Sequence, residues 1–155
     1  MTRVARRDDV RADGRPNLLY LVKQVELAVR ARLDEALRSV PVTALQYTAL
    51  TVLERRSDLS TAQLARNAFV TDQSAADMVR VLEERGLIER VPDPGDRRRR
   101  VLRLTGAGRE LLDRVRLDVD EVEALMLSPL DTDEAEALHR YLAACRAVLA
   151  SAPPH

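Results

Sequence analysis

The 155-residue chain contains one cysteine and no tryptophan, and only 3% of its residues are aromatic. A single cysteine, Cys145, excludes an internal disulfide and a zinc site built on cysteines. Two histidines, His139 and His155, are too few and too isolated to form a metal cluster, so we expect no metal ion and no other cofactor. With so few rings, the core must consist of Leu, Val and Ala, which favours helices over a β-sandwich.

Long apolar runs and catalytic motifs are missing as well. No stretch approaches the roughly 20 apolar residues that a membrane span needs. The charged N-terminal segment MTRVARRDDVRADGR lacks the apolar centre of a signal peptide. We therefore expect a cytoplasmic protein without a membrane partner. No nucleophile–base pair and no glycine-rich phosphate loop occurs, so an enzyme is not expected.

Charge is unevenly distributed along a chain whose formal net charge is zero. Between residues 85 and 116 there are ten arginines and five acidic residues, whereas from residue 117 onward there are eight acidic residues and two arginines. A basic segment followed by an acidic one is typical of a protein with one anion-binding surface. Overall neutrality therefore does not exclude nucleic acid as a partner.

The apolar spacing predicts helices over most of the chain. Pro16 suits the first turn of a helix whose apolar stripe continues until Pro41 breaks it. Hydroxyl residues stand where further helices would begin, and an aspartate stands before the last one; these capping positions are Thr43, Ser60, Thr71, Thr105 and Asp131. Residues 1–15 show no apolar period and are expected to be disordered, and residues 151–155 form a frayed tail.

A β-hairpin interrupts this helical pattern. Residues 87–91 change to the spacing of a strand, residues 92–96 contain two prolines and a glycine that form a turn, and residues 101–104 alternate again. Four consecutive arginines follow the turn, which places Arg97, Arg98, Arg99 and Arg100 at the tip of the hairpin. A run of arginines by itself is most often a solvated surface, so its neighbours decide its meaning.

The order of short helix, tight turn, second helix and basic hairpin predicts a winged helix-turn-helix. The fold class is mainly α with a small two- or three-stranded β-wing. A helix over 71–85 would enter the major groove of DNA, and the wing over 92–103 would reach the minor groove. The expected DNA-binding residues of the helix are Thr71, Asp72, Gln73, Ser74, Ala76 and Asp77. Those of the wing are Asp96, Arg97, Arg98, Arg99, Arg100 and Arg103.

Individual residues of the recognition helix have alternative interpretations. Gln73 can form paired hydrogen bonds to adenine, and Ser74 can contact a base or a phosphate, but both are also ordinary first-turn surface residues. Asp77 opposes simple phosphate binding. It can accept a hydrogen bond from a cytosine amino group, pair with a nearby arginine, or lie outside the contact.

With these motifs in place, the chain resembles the MarR family of bacterial transcriptional regulators from about Leu18 to about Leu149. The similarity is carried by the segments VTALQYTALTVL, LARNAFVTDQSAADMVRVLEERGLIERV and DPGDRRRRVLRLTGAGREL. The last of these resembles the wing signature of the family, an Asp-Pro-x-Asp-x-Arg turn followed by Leu-Thr-x-x-Gly-Arg. The resemblance implies that Asp96 steadies the wing tip and that Arg98 enters the minor groove. Family members often carry a basic or hydroxyl residue where this chain has Ala76 and Asp77.

The resemblance also implies a homodimer, which agrees with apolar stripes on the terminal helices that a winged domain alone does not need. We expect dimerisation helices over 16–40 and 107–150 around a DNA-binding domain over 41–106. Small aromatic effectors are common in the family, and Tyr20 and Tyr47 could line a cleft for one, although a tyrosine in an apolar stripe more often belongs to the core. Cys145 lies on such a stripe and is expected to be a small buried residue rather than a redox sensor.

The sequence therefore predicts a homodimeric transcriptional regulator, a ligand-responsive repressor that binds a palindromic operator in double-stranded DNA. The alternative is a winged-helix protein that contacts other proteins, or DNA without sequence preference, and that has no dedicated effector. Ala76 and Asp77 are the residues that favour this alternative.

Overall fold

The computed structural model describes residues 11–151 of the chain, in which six helices and one two-stranded sheet are formed. In chain order the elements are α1 (Leu18–Ala36), α2 (Ala44–Arg55), α3 (Thr61–Ala68), α4 (Asp72–Glu84), β1 (Ile88–Pro92), β2 (Arg100–Leu104), α5 (Gly106–Leu127) and α6 (Thr132–Ser151). This is the predicted fold class, mainly helical with a small β-wing. Residues 1–10 and 152–155, parts of the expected disordered arm and tail, lie outside the described residues.

Local capping explains where the helices begin. The side chains of Thr43, Ser60, Thr71 and Thr105 each accept a hydrogen bond from a backbone N–H in the first turn of the next helix. At Thr43 and Ser60 a glutamine three residues later bonds back to the cap, which completes a capping box. Each cap satisfies a backbone donor that the helix itself leaves without a partner. These four predicted caps are therefore confirmed, and so is the fifth, Asp131, whose Oδ1 accepts from the N–H of Glu134 at 2.8 Å.

The boundaries of α1 differ from the prediction. Pro16 lies before the helix and not in its first turn, because the N-cap is Asn17, whose side chain accepts from the N–H of Tyr20 at 2.7 Å. The helix ends at Ala36, ahead of Pro41, because Leu37 leaves the helical path and is buried at 2% exposure. The apolar residues after the helix enter the core instead of extending it. Residues 11–15 form a turn, in which the N–H of Gly14 donates to the carbonyl of Arg11 at 3.0 Å.

The hairpin pairs β1 with β2 antiparallel, in a register that matches Ile88 with Leu104 and Pro92 with Arg100. A third segment contributes only one isolated bridge, in which the N–H of Leu102 donates to the carbonyl of Leu59 at 2.8 Å. Of the two alternatives left open by the sequence, the wing is two-stranded, and this bridge attaches it to the loop before α3.

The core lies between α2, α3, α4, the hairpin and the first half of α5. Leu50, Leu64, Leu82, Leu102 and Val115 are at most 1% exposed. Leucine and valine dominate this cluster, as the scarcity of aromatic residues predicts. The core therefore holds the helix pair and the wing together as one packed unit.

Thr105 connects two parts of this unit. Its hydroxyl donates to the carbonyl of Gly86 at 2.6 Å and accepts from the N–H of Gly108 at 3.1 Å. Gly86, with a φ of +71°, is the stop that follows α4, and Gly108 lies in the first turn of α5. One side chain thus joins the end of α4 to the beginning of α5.

Apolar side chains remain uncovered on the terminal helices of the protomer. No residue of α1 or α6 is buried, and the exposed residues include Leu18, Leu19, Val22, Tyr141, Val148 and Leu149. Cys145 is exposed as well, so the expectation that it is buried is wrong for the single protomer. Helical spacing places Cys145 on an apolar stripe, and within residues 11–151 that stripe is exposed from Tyr141 onward. An apolar stripe without a cover indicates an interface with another molecule.

Candidate nucleic-acid interface

The exposed face of α4 carries all the residues that the sequence assigns to the recognition helix. Ala75, Met78, Val79 and Leu82 are buried against the core. The opposite face is exposed and consists of Thr71, Asp72, Gln73, Ser74, Ala76 and Asp77. The 3.6-residue period of the helix separates the two sets, because the four buried apolar residues recur at helical spacing on one side. The predicted residues therefore share one accessible face, and their contact with DNA remains a prediction.

Hydroxyl groups at the start of α4 bond to each other. The N–H of Ser74 donates to Thr71 Oγ1 at 3.1 Å, and Thr71 Oγ1 donates to Ser74 Oγ at 3.0 Å. Thr71 is therefore occupied as the helix cap, while the Ser74 hydroxyl keeps its own proton for another acceptor. Thr71 therefore has a structural role, and Ser74 is the residue of the two that can contact a phosphate.

One turn further on, three polar side chains form a chain of contacts along the same face. Gln73 Nε2 donates to Asp77 Oδ1 at 3.3 Å, and Arg80 Nη2 lies 3.9 Å from the same oxygen. Arg80 Nη1 also lies 3.8 Å from Glu84 Oε1. Among the readings left open for Asp77, the pairing with a nearby arginine is present in the structure.

Backbone hydrogen bonds to two carboxylates shape the tip of the wing. Asp93 Oδ1 accepts from the N–H of Gly95 at 2.9 Å, and Asp96 Oδ1 accepts from the N–H of Arg98 at 3.1 Å. The N–H of Arg99 closes the turn by donating to the carbonyl of Asp96 at 2.9 Å. Asp96 therefore fixes the backbone that presents Arg98, which agrees with the steadying role implied by the family resemblance.

The four arginines do not occupy equivalent positions. Arg97, Arg98 and Arg99 lie in the turn and are exposed, whereas Arg100 begins β2 opposite Pro92. Arg100 Nη2 donates to the carbonyl of Arg90 at 3.2 Å. The guanidinium of Arg100 is therefore held along the hairpin, so three arginines rather than four extend from the tip.

Glu83 and Arg90 link the recognition helix to the wing. Arg90 Nε donates to Glu83 Oε2 at 2.8 Å, and the two side chains are 39% and 43% exposed. A groove of about 580 Å³ opens between the exposed face of α4 and β1, lined by Ala76, Asp77, Arg80, Glu83, Glu84 and Arg90. Glu83 and Arg90 are not among the residues predicted from the sequence, because a glycine turn separates them and no motif marks the pair.

Arg103 lies at the base of the wing and is engaged there. Its Nε donates to Asp58 Oδ1 at 2.7 Å, and this hydrogen bond raises the pKa of Arg103 above its already high ordinary value. Asp58 has a φ of +65°, which places it in the left-handed region, where aspartate is tolerated. The structure therefore separates Arg103 from the tip arginines with which the sequence analysis grouped it.

The two tyrosines of the expected effector cleft are half-buried. Burial raises the pKa of the Tyr47 phenol above its ordinary value of 10.0; nearby Arg116 acts in the opposite direction, and Glu54 adds to the increase. Tyr47 packs against the core, while Tyr20 lies in the first turn of α1. The groove of about 480 Å³ between α1 and α5 has other lining residues, among them Arg32, Ser39, Asp118 and Leu125. A cleft shared by Tyr20 and Tyr47 remains a prediction.

Within residues 11–151, no three His, Cys, Asp or Glu side chains are grouped so that they could hold a metal ion. In the same part of the chain, no helix has the length and apolar character needed to span a membrane.

Comparison with known proteins gives one consistent result. A sequence model of the MarR family matches residues 40–99, which include α2, α3, α4 and most of the wing. The HTH-type transcriptional repressor Rv2887 of Mycobacterium tuberculosis is 31% identical over 131 residues, which cover 84% of this chain and 94% of the relative.

Solved structures share the fold. The transcriptional repressor CouR bound to a 23-mer DNA duplex aligns with a TM-score of 0.73 and 28% identity, over 83% of this chain and 92% of CouR. CouR from Rhodococcus jostii RHA1 bound to p-coumaroyl-CoA aligns with a TM-score of 0.77 and 22% identity, over 84% of this chain and 92% of that protein.

Proposed function

The chain belongs to the MarR family, and from that premise we propose that it is a homodimeric transcriptional repressor that binds a palindromic operator and releases it when a small aromatic effector binds. Helix α4 occupies the major groove and the wing tip reaches the minor groove. The protein has no catalytic role and acts in the cytoplasm, where the DNA is. Its relatives are named as transcriptional repressors, and that name supports the proposal.

One observation carries the DNA-binding part of the proposal. The exposed face of α4 and the arginine tip belong to one packed unit, in which Arg90 and Glu83 bridge helix and hairpin at 2.8 Å. A recognition helix has a defined register on DNA only if the residues that contact the neighbouring phosphates are held in a fixed position relative to the helix. Arg97, Arg98 and Arg99 supply such contacts beside the helix.

The dimeric part rests on the uncovered apolar surface. Val148 is 66% exposed and Leu149 is 70% exposed on α6, while Leu18 and Leu19 are 70% and 81% exposed on α1. A stable interface buries about 1,200–2,000 Å² in total, and the exposed apolar residues of both terminal helices can contribute to it. A two-fold axis through them would place two α4 helices about one turn of DNA apart, roughly 34–36 Å.

Oligomeric state tests the dimeric part directly. Leu149→Arg places a charge in the proposed interface and is expected to shift the protein toward monomer in sedimentation at micromolar concentration. Phe69→Asn is the matched control, because Phe69 is an exposed apolar residue, at 61%, in the turn before α4. Asparagine tolerates the left-handed conformation that Phe69 adopts, with φ 55°. A wild-type monomer would contradict the proposed dimer.

The effector part has its own test. The midpoint of thermal unfolding is measured while p-coumaroyl-CoA is added. If the folded dimer binds the compound, the midpoint must rise, because binding stabilises the folded state by about 2.7 kcal/mol at a concentration 100 times the Kd. Tyr47→Ala should weaken that effect if the ring lines the site. An unchanged midpoint for this compound and for simple phenolic acids would contradict an aromatic effector.

Selection of DNA from a random pool, followed by salt-titrated binding, tests operator recognition. The repressor should prefer its selected site over random DNA by about 10³-fold or more. Arg98→Ala should lower affinity for both, while Arg30→Ala on α1, where Arg30 pairs with Glu26, serves as the control. The alternative, a nonspecific binder or a protein-interaction module, is favoured by the acidic residues of α4. It would be supported by a pool without a consensus.

A further inference from the structure

Helix α4 is acidic on the face that would approach DNA. Asp72, Asp77, Glu83 and Glu84 stand against a single arginine, Arg80, on the helix itself. Duplex DNA carries one negative charge per roughly 1.7 Å of its axis, so an exposed carboxylate in the groove opposes binding unless a donor on the DNA compensates it. Two of these carboxylates belong to the expected DNA-binding residues. Asp72 lies in the first turn, where the helix N-terminus favours a negative charge, so Asp77 is the one whose position requires an explanation.

The geometry around Asp77 fixes which of its atoms can meet DNA. A carboxylate only accepts hydrogen bonds, so Gln73 must direct its amide nitrogen toward Asp77 Oδ1, at 3.3 Å. This orientation leaves the other N–H of Gln73 and its Oε1 for a base edge, the pair of groups that matches adenine. Gln73 and Asp77 can therefore read adjacent bases without breaking the bond between them.

Arg80 holds the same carboxylate from the other side. Its Nη2 lies 3.9 Å from Asp77 Oδ1, and its Nη1 lies 3.8 Å from Glu84 Oε1. Among residues 11–151, Asp77 Oδ2 has no hydrogen-bond partner, and Asp77 lines the groove that opens between α4 and the wing. One oxygen is used within the protein and the other remains for a ligand.

We propose that Asp77 determines operator specificity by accepting a hydrogen bond, through Oδ2, from the N4 amino group of a cytosine in the major groove. Gln73 and Arg80 are positioning residues that hold its carboxylate. Cytosine presents a donor at this edge with no acceptor on the same base, whereas adenine sets its N6 donor beside the acceptor N7, and guanine presents only the acceptors O6 and N7, which repel a carboxylate. The inference rests on the proposed operator binding, and it adds that Asp77 selects a cytosine in the operator.

The test compares two variants that each remove one carboxylate from the contacts of Arg80. Asp77→Asn keeps the shape but adds a donor, and Glu84→Gln changes the same charge about two turns further along the helix. DNA selected by wild type and by Glu84→Gln should contain the same cytosine in each half-site. DNA selected by Asp77→Asn should lose it, and discrimination at that base pair should fall by about 5- to 150-fold.

A second measurement changes the DNA, so its wild-type arm does not depend on how a variant folds. Wild-type protein is given an operator in which that cytosine is replaced by pyrimidin-2-one, which lacks the amino group. The affinity should fall by about 5- to 150-fold, and Asp77→Asn should be nearly insensitive to the same replacement.

The outcomes separate this inference from the proposed function. If wild type and Asp77→Asn select the same sequence, or if pyrimidin-2-one costs nothing, Asp77 lies outside the base contacts and the inference is wrong while operator binding stands. If Asp77→Asn and Glu84→Gln both merely strengthen binding to all DNA, Asp77 acts only through its charge, and the inference is again wrong. A wild-type protein that selects no sequence would overturn both.

Discussion

Arg103 and Asp58 are joined by a hydrogen-bonded ion pair of 2.7 Å, although they lie far apart in the chain. The pair connects β2 with the loop before α3, next to the bridge between Leu59 and Leu102. At its base, the wing is thus attached to the loop before α3 by one backbone hydrogen bond and one ion pair. Arg103 belongs to the support of the wing, and the tip arginines belong to its outer surface.

This relationship predicts different salt dependences for two arginine variants. Arg98→Ala should reduce the slope of log K against log salt concentration by about 0.9, because one phosphate contact is lost. Arg103→Ala should lower operator affinity by loosening the wing and leave that slope unchanged. Asp58→Asn should reproduce the behaviour of Arg103→Ala. A reduced slope for Arg103→Ala would instead return Arg103 to the DNA contacts expected from the sequence.

Replacing Gly108 by alanine is expected to destabilise the protein, which is the opposite of the usual effect of this substitution in a helix. Alanine normally stabilises a helix relative to glycine, by about 0.5–1 kcal/mol. A Cβ at Gly108, however, would overlap the carbonyl oxygen of Leu87 and lie 2.8 Å from Leu104 Cδ1. We expect Gly108→Ala to lower the free energy of unfolding by about 1–3 kcal/mol. Gly106→Ala is the control, because a Cβ there meets nothing within 4 Å; equal stability of the two variants in urea would contradict the close approach.

Tyr47 predicts how stability changes in alkaline solution. Its folded-state pKa is raised above 10.0, mainly by burial. Below that pH both states keep the phenol protonated and the stabilisation is complete. Above it the unfolded chain ionises first, so stability falls as pH rises, by at most about 1.4 kcal/mol per pH unit. Urea midpoints at about pH 8 and about pH 11 should therefore fall less for Tyr47→Phe than for wild type.

The labelling rate of the Cys145 thiol should report dimerisation. The thiol is exposed in the protomer and lies on the α6 stripe that the proposed interface covers. Labelling by an aromatic disulfide reagent should be fast in dilute protein and slow as the dimer forms, in proportion to the monomer fraction from sedimentation. Since the chain has one cysteine, Cys145→Ser supplies the blank. A labelling rate independent of protein concentration across the monomer–dimer range would place Cys145 outside the interface.

Local chemistry was predicted well from the sequence. The caps at Thr43, Ser60, Thr71 and Thr105 each involve residues within one helical turn, so the sequence alone contains the whole interaction. The exposed face of α4 follows from helical period in the same way. The hairpin follows from a change of period around a turn of proline and glycine.

Contacts between distant residues could not be predicted in this way. The pairing of Arg103 with Asp58 joins two elements whose approach depends on the whole fold, and nothing in either local sequence marks it. Cys145 was misjudged because a helical stripe indicates that a face is apolar but does not identify what covers it. The end of α1 was misplaced because Leu37 gains more from burial in the core than from another helical turn.

The hydroxyl of Thr105 has a mechanical consequence, since it bonds both to the residue that ends α4 and to the first turn of α5. Helix α5 has 22 residues, and a helix of that size is about 33 Å long, so pivoting it by about 5° at Thr105 moves its far end by about 3 Å. Because α4 and the first half of α5 share one core, a rotation of the winged unit as one body that displaces the far end of α5 by that distance turns α4 by the same angle. Small shifts far from the DNA would thus change the tilt and the spacing of the two recognition helices together.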